Sequence, residues 1–274
     1  MTFRTSFHWG TPADRTWGEP ARFADVCRRA VAAGFASVDV PEAGSMADAI
    51  GLVAAAATAI GELRFRLTHP GPASLGEALA QATVQDACAA LAERLILHVK
   101  TDGDESDVAD AVAMLESCRR RFADSACPEV NVEGESAEAA LLAIKQADRL
   151  WRRPARPTMV EGDARPVLHF GTQVGLVTSM VARETTSEAL AAAAALLPEA
   201  DFASDAPWAT DCVWATDRAT VLVGSFDELA GTIQRYERRG ISGFLIRGWG
   251  VQEVDDREMA IIGSGILPLI RRRE

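Results

Sequence analysis

Arg94-Leu95-Ile96-Leu97-His98-Val99-Lys100 is the clearest strand in the chain. Seven residues without Gly or Pro carry a run of branched aliphatics, and His98 alternates with Leu97 and Val99. That is the pattern of a short buried strand rather than of a helix. A helical stretch, Asp104 to Phe122, follows it, and the same strand-then-helix unit recurs on both sides. Upstream, strands are predicted at Arg4–Trp9, Ala36–Pro41 and Leu63–Thr68. The helices between them run over Pro20–Ala33, stopped by Gly34, and from a Ser45 cap to about Ile60. A further helix starts at Ser74, after His69-Pro70-Gly71. Downstream come a short strand at Val130–Val132, a helix from Ser136 to Ala147, and a weak strand at Arg149–Trp151. Pro154 to Pro166 reads as a loop replacing a helix, because Pro and Arg dominate it without an apolar period. Val174–Ala182 is a strand and Thr185–Leu197 a helix. Asp201 to Thr220 is irregular and carries Trp208 and Trp214. Ser225 caps a helix to Arg239, stopped by Gly240; Gly243–Gly248 is the eighth strand, and a last helix ends near Ile270.

Eight strands separated by helices predict an α/β chain folded as a single (β/α)8 TIM barrel over residues 1–274. No GxGxxG follows the first strand, which weakens a dinucleotide-binding doubly wound sheet. The chain carries a net charge of −11, and a sequence pI near 4.9. Such a chain repels phosphate backbones and anionic surfaces, so no nucleic-acid or membrane partner is expected. The five cysteines, Cys27, Cys88, Cys118, Cys127 and Cys212, are scattered without CxxC. They read as reduced thiols of a cytoplasmic protein rather than a disulfide framework or a zinc site. The N-terminus has no apolar run of signal-peptide type, and Ile50 to Ile60 is too short to span a bilayer.

Chemistry in a barrel gathers at the C-terminal ends of its strands. There the chain places His8, Trp9, Glu42, His69, His98, Lys100, Thr101, Glu133, Glu135, Ser179, Arg247 and Trp249. His98 reads either as a lumen histidine bonded to a neighbour or as a ligand contact, and His69 as a site or a turn residue. His8 reads as packed and His169 as exposed. Arg247 is either an anion-binding residue or the partner of an inner carboxylate such as Asp39. Gly134-Glu135-Ser136 opens a helix whose amides suit a phosphate, but Glu135 would repel one; a plain Ser136 cap is the alternative. The four dispersed histidines lack HxH or HExxH spacing, so no metal site is expected.

Leu222-Val223-Gly224-Ser225-Phe226-Asp227-Glu228-Leu229-Ala230, then Gly240-Ile241 and Gly243-Phe244-Leu245-Ile246-Arg247-Gly248, and finally Leu267-Pro268-Leu269 resemble the luciferase-like flavin monooxygenases. The likeness is greatest to their alkanesulfonate branch. His69-Pro70-Gly71, Arg94 to Thr101, Gly134-Glu135-Ser136 and Ala182-Arg183-Glu184-Thr185 extend it in the same order. The resemblance implies reduced FMN supplied by a partner reductase, oxygen, and oxygenation of a small organic substrate. It implies FMN phosphate near Thr101, Gly134, Glu135 and Ser136. The chain departs from that pattern by being shorter after the fourth and sixth strands. The branch's Arg-x-His pair falls on Val177 and Ser179, its cysteine on Met46 and its eighth-strand tyrosine on Trp249. Its other arginine falls near Ala215, with Arg218 close by, and its early histidine near Ala13 or Asp14. The departures favour weak or absent FMN. They also raise an alternative, a non-catalytic ligand-binding or partner subunit. A homodimer, or a heterodimer with a complete relative, is expected through the weakly charged helices Ser45–Ile60 and Ser74–Leu91, with Ala55 and Ala56 on the contact face.

Overall fold

The computed structural model describes residues 5–10, 20–40, 46–69, 90–101, 116, 120, 128–198, 200, 212–215 and 220–271. Eight parallel strands close on themselves. They are β1 (Ser6–Gly10), β2 (Ser37–Val40), β3 (Arg64–His69), β4 (Leu95–Lys100), β5 (Glu129–Glu133), β6 (Arg149–Arg152), β7 (Gln173–Arg183) and β10 (Ile241–Arg247), which pairs with both β7 and β1. The predicted (β/α)8 barrel is therefore the architecture, and its eight strands are the eight expected.

Two short strands sit outside the ring. β8 (Val213–Ala215) and β9 (Thr220–Ser225) form an antiparallel pair, and β9 runs parallel to the upper half of β7. The long β7 changes neighbour midway: residues 174–178 pair with β10 and residues 179–183 with β9. The segment read as irregular thus contains β8, and Trp214 on it is buried. Trp208 lies outside the described residues, as do the helices from Ser74 and from Asp104 apart from Ala90 and from Glu116 and Arg120, which are helical.

The helices described are α1 (Pro20–Ala33), α2 (Met46–Ala59), α3 (Ala137–Gln146), α4 (Pro157–His169), α5 (Thr186–Leu196), α6 (Phe226–Glu237), α7 (Gln252–Ile261) and α8 (Leu267–Arg271), the last two joined by a π-helical turn, Ile262–Ile266. The loop expected between Pro154 and Pro166 is corrected: α4 occupies it. Pro157 begins the helix, where its missing N–H costs nothing, and Val160, Ala164 and Val167 face inward at helical spacing. Pro166 lies on the exposed face. Ser136, Thr185 and Ser225 cap α3, α5 and α6; the last two form capping boxes with Glu188 and Glu228.

The apolar core lies between the ring and its helices. Leu95, Leu97 and Val99 of β4, Phe65 and Leu67 of β3, and Val130 and Val132 of β5 all point outward into it. Period-two alternation then sends the intervening residues into the lumen, and most of these are polar. They include His8, Ser37, Asp39, Arg64, Arg66, His98, Glu129, Asn131, Glu133, Arg149, Gln173 and Arg247. Trp151, Val177 and Leu245 form a small apolar cluster among them. Trp151 fits because residue 175 is Gly: a Cβ there would overlap the indole ring.

Candidate functional site at the barrel mouth

The lumen is tiered. Near its base, Arg64 pairs with Glu129, and Arg149 holds Gln173, Ser6 at 3.3 Å and His8 Nε2 at 2.9 Å. In the middle, Arg66 pairs with Asp39, and His8 Nδ1 meets Ser37 Oγ at 2.7 Å. Asn131 accepts from Trp151 Nε1 at 3.1 Å in the amide orientation that satisfies both groups. At the mouth, Glu133 joins two strands to its own: His98 Nε2 lies 2.8 Å from Oε2, and Arg247 donates to Oε1 and Oε2 at 2.6 and 2.7 Å.

Of the sequence candidates, the structure brings His98 and Arg247 together on one carboxylate. Arg247 is the partner of an inner carboxylate, but that carboxylate is Glu133; Asp39 belongs to Arg66. His69 ends β3 in register with Val99, and Met46 opens α2; their side chains lie outside what is described. Ser179 donates its hydroxyl to the Arg247 carbonyl at 3.1 Å. Val177 packs against Trp151 and Leu245. Trp249 is half-buried against the satellite cluster of Val181, Trp214 and Val223, away from the lumen cluster. His8 is a hydrogen-bonded lumen residue rather than a packed apolar one, and His169 is exposed at the end of α4. Glu42, Ala13, Asp14 and Arg218 lie outside the described residues.

Sequence reasoning missed Arg64, Arg66, Glu129 and Arg149 as lumen residues. The signal was there: Arg64-Phe65-Arg66-Leu67 and Glu129-Val130-Asn131-Val132-Glu133 alternate polar and apolar strictly, which on a ringed strand points every second polar group inward.

Burial drives the protonation states. Desolvation, then the charges of Arg149, Arg66 and Arg64, hold His8 well below its ordinary pKa. Burial also lowers His98, against the opposing pull of Glu133. Burial pushes the Glu133 carboxyl up, but the His98 hydrogen bond with the His98, Arg247 and Lys100 charges overrides it and holds it well below the usual range. The geometry favours neutral His98 donating Nε2–H to an ionised Glu133, whose charge Arg247 balances. Cys27, by contrast, is an inert buried thiol pushed up to about 12, chiefly by desolvation.

Unfolded histidines bind a proton near pH 6.5 that folded His8 and His98 refuse. Their contribution to stability is therefore complete above about pH 6.5 and is lost as pH falls below it toward the folded values. Urea unfolding at pH 7.5 and pH 5.5 should show the lower midpoint at pH 5.5. Each histidine contributes at most about 1.4 kcal/mol per pH unit. A midpoint unchanged over this range would contradict neutral burial of both rings.

Beside the Glu133 cluster lies a cleft of about 350 Å³ lined by Lys100, Thr101, Glu133, Gly134, Glu135, Ser136 and Arg153. It unites all four residues at which the resemblance places a phosphate. Three of their side chains are hydrogen-bonded internally. Ser136 Oγ accepts from Ala139 N at 3.1 Å, the Glu135 carboxylate accepts from Arg153 N at 2.6 Å, and Thr101 Oγ1 donates to the Glu133 carbonyl at 3.2 Å. A Cβ at Gly134 would overlap Thr101 and Ala139. Two groups at the start of α3 work against an FMN phosphate here, the exposed Glu135 carboxylate and the filled Ser136 cap, while Lys100 and Arg153 of the same cleft are cationic. A larger cleft of about 520 Å³, lined by Ser6, Arg64, Glu62 and Arg271 among others, opens at the opposite, N-terminal end, where barrels place stability rather than chemistry. Among the described residues no group of three or more His, Cys, Asp and Glu is placed to hold a metal ion, and no helix is long and apolar enough to cross a membrane.

The same (β/α)8 fold is found in solved structures of low sequence identity. A coenzyme F420 dependent tetrahydromethanopterin reductase from Methanopyrus kandleri superposes with a TM-score of 0.65 at 12% identity, over 97% of this chain and 99% of that one. An EDTA monooxygenase from Chelativorans sp. BNC1 gives 0.68 at 11% identity, over 98% and 94%. The oxygenating constituent of 3,6-diketocamphane monooxygenase from Pseudomonas putida, a type II Baeyer-Villiger monooxygenase in complex with FMN, gives 0.60 at 12%, over 98% and 99%. No protein-family profile and no curated protein matches the chain.

Proposed function

We propose that the chain is a luciferase-like barrel protein of the flavin-dependent monooxygenase type, taking a small organic ligand at its C-terminal mouth and holding reduced FMN only weakly. Oxygenation of a simple sulfonate is absent or very slow. The observation that carries this reading is the internal occupation of the phosphate position: Glu135 on the Arg153 amide and Ser136 on the Ala139 amide. Full-length likeness to F420- and FMN-linked barrels supports a flavin-type ligand over other barrel chemistries. The second reading, a non-catalytic ligand-binding or partner subunit, is favoured by the apolar setting of Val177 and the committed hydroxyl of Ser179. Oxygen uptake with reduced FMN, supplied by a flavin reductase, separates the two. A low ligand-dependent rate supports the first reading and a rate equal to the protein-free control the second; fast, tightly coupled turnover contradicts both.

A dimer through α2 belongs to the same proposal. Gly51, Ala54, Ala55, Thr58 and Ala59 are exposed on it, and no charged residue follows Asp48 in the helix. Ala56 is not on that face: it is 1% exposed, packed against the barrel. Light scattering should give twice the 29.3 kDa chain mass, and Ala55→Glu should dissociate or aggregate the protein. A monomer mass across micromolar concentrations would overturn the homodimer, leaving a pairing with a different chain.

A further inference from the structure

A cleft of about 520 Å³ opens at the N-terminal end of the barrel, within the roughly 300–1,000 Å³ range of small-molecule sites. The beginnings of β1 and β3, the turn after α1 and the end of α8 build it. Phe35, Leu63, Leu267 and Ile270, all members of the core, give it an apolar wall. Val31 of α1 adds an apolar side chain that is 43% exposed. A concave apolar wall with a few polar groups converging on it is the form of a ligand site rather than of a bare surface.

Two of those polar groups are uncommitted charges. Arg64 is paired with Glu129, and the Ser6 hydroxyl is held among His8, Arg149 and the Ser242 carbonyl. Glu62 and Arg271 also line the cleft. Neither has an ion-pair partner among the described residues, and no ion pair joins them to each other. Arg271 is nonetheless fixed. Its NH2 donates to the Gly34 carbonyl at 3.0 Å, and a Cβ on residue 34 would come within 2.7 Å of the same nitrogen. Gly34 also holds a φ of +88°, so backbone and side-chain packing both demand glycine there. The guanidinium is thereby anchored through one N–H, and the rest of its planar fork is left to donate. Opposite charges that line one cleft without touching leave a place for a ligand carrying both.

We propose that this cleft binds a free α-amino acid with a large apolar side chain. Its carboxylate takes the open side of the Arg271 fork, its ammonium takes Glu62, and its side chain lies against Val31, Leu267 and Ile270. A zwitterion brings no net charge, so the chain's overall charge of −11 does not oppose it. The cleft lies at the opposite end of the barrel from the Glu135 cleft, so the proposal stands or falls apart from the oxygenase reading.

The test is titration calorimetry of the full chain at neutral pH and constant ionic strength. The probes are L-leucine, L-phenylalanine, glycine, N-acetyl-L-leucine and L-leucinamide. L-leucine or L-phenylalanine should bind saturably at one site per chain, and the tighter of the two gives the shape that the apolar wall takes. Glycine, without the side chain, should bind about 10-fold more weakly or worse. N-acetyl-L-leucine lacks the ammonium and L-leucinamide the carboxylate. Each should bind about 5-fold more weakly than L-leucine, the upper end for a partly exposed ion pair. Glu62→Gln should abolish the preference over N-acetyl-L-leucine, and Arg271→Gln the preference over L-leucinamide. Both residues are exposed, so both variants are expected to fold. Three results would overturn the proposal: no saturable binding of either apolar amino acid, equal binding of all five compounds, or a preference unchanged in either variant.

Discussion

Replacing Arg183 by Met is expected to lower the free energy of unfolding by about 3–5 kcal/mol. Arg183 ends β7 and forms a two-pronged pair with Glu258 on α7, NH1 to Oε2 at 2.8 Å and NH2 to Oε1 at 2.7 Å. Glu258 is wholly buried, and its only other ion-pair partner among the described residues is the half-exposed Arg257, at 3.3 Å. Removing Arg183 therefore leaves a carboxylate inside the protein with one poorly aligned cation. Replacing both partners, Arg183→Met with Glu258→Leu, should recover most of the loss, because the desolvated charge goes with its partner. Urea denaturation reads both variants. A single-variant loss below about 1 kcal/mol, the range of exposed pairs, would contradict this account of Arg183.

Sulfite release from a simple alkanesulfonate with reduced FMN is expected at the background rate. The resemblance assigns an Arg and a His to positions that hold Val177 and Ser179 here. Val177 lies in the apolar contact with Trp151 and Leu245, and the Ser179 hydroxyl is committed to the Arg247 carbonyl. Arg247, the nearest cation of the same strand pair, is itself neutralised by Glu133. Loss of one preorganised donor to a developing oxyanion costs about 10²–10³ in rate. With both replaced, a deficit on the order of 10³ or more is expected, short of simple additivity. Robust sulfite release dependent on this chain would refute it.

These two residues show what the sequence made legible. Arg183 stood out only as part of an Ala-Arg-Glu-Thr match. Its task is set by a contact with Glu258, 75 positions away, and no spacing rule gives that partner. The strands were readable because each is short, apolar on its outer face and punctuated by capped helices. Leu95 to Lys100 and Val174 to Ala182 needed no tertiary information. The segment from Pro154 misled because Pro157 and Pro166 look like breakers, although one begins α4 and the other lies on its solvent face. β9 was read as a motif and not as a strand, since its partner is the upper half of β7 rather than a barrel neighbour. The mouth was half legible. His98 and Arg247 are both candidates by their place at strand ends, yet nothing in the spacing of Glu133 shows that it joins them. Lateral register across β4, β5 and β10 decides that, and register is a property of the closed ring.

The exposed carboxylate of Glu135 stands where the resemblance places an FMN phosphate. Titration calorimetry of FMN into the unaltered protein and into Glu135→Ser tests it most directly. Weak binding to the first is expected, with a Kd well above micromolar, and tighter binding to the second, since the substitution removes the charge that occupies the Arg153 amide. A Kd near or below micromolar for the unaltered protein would contradict it, as would indifference of FMN to the loss of Glu135.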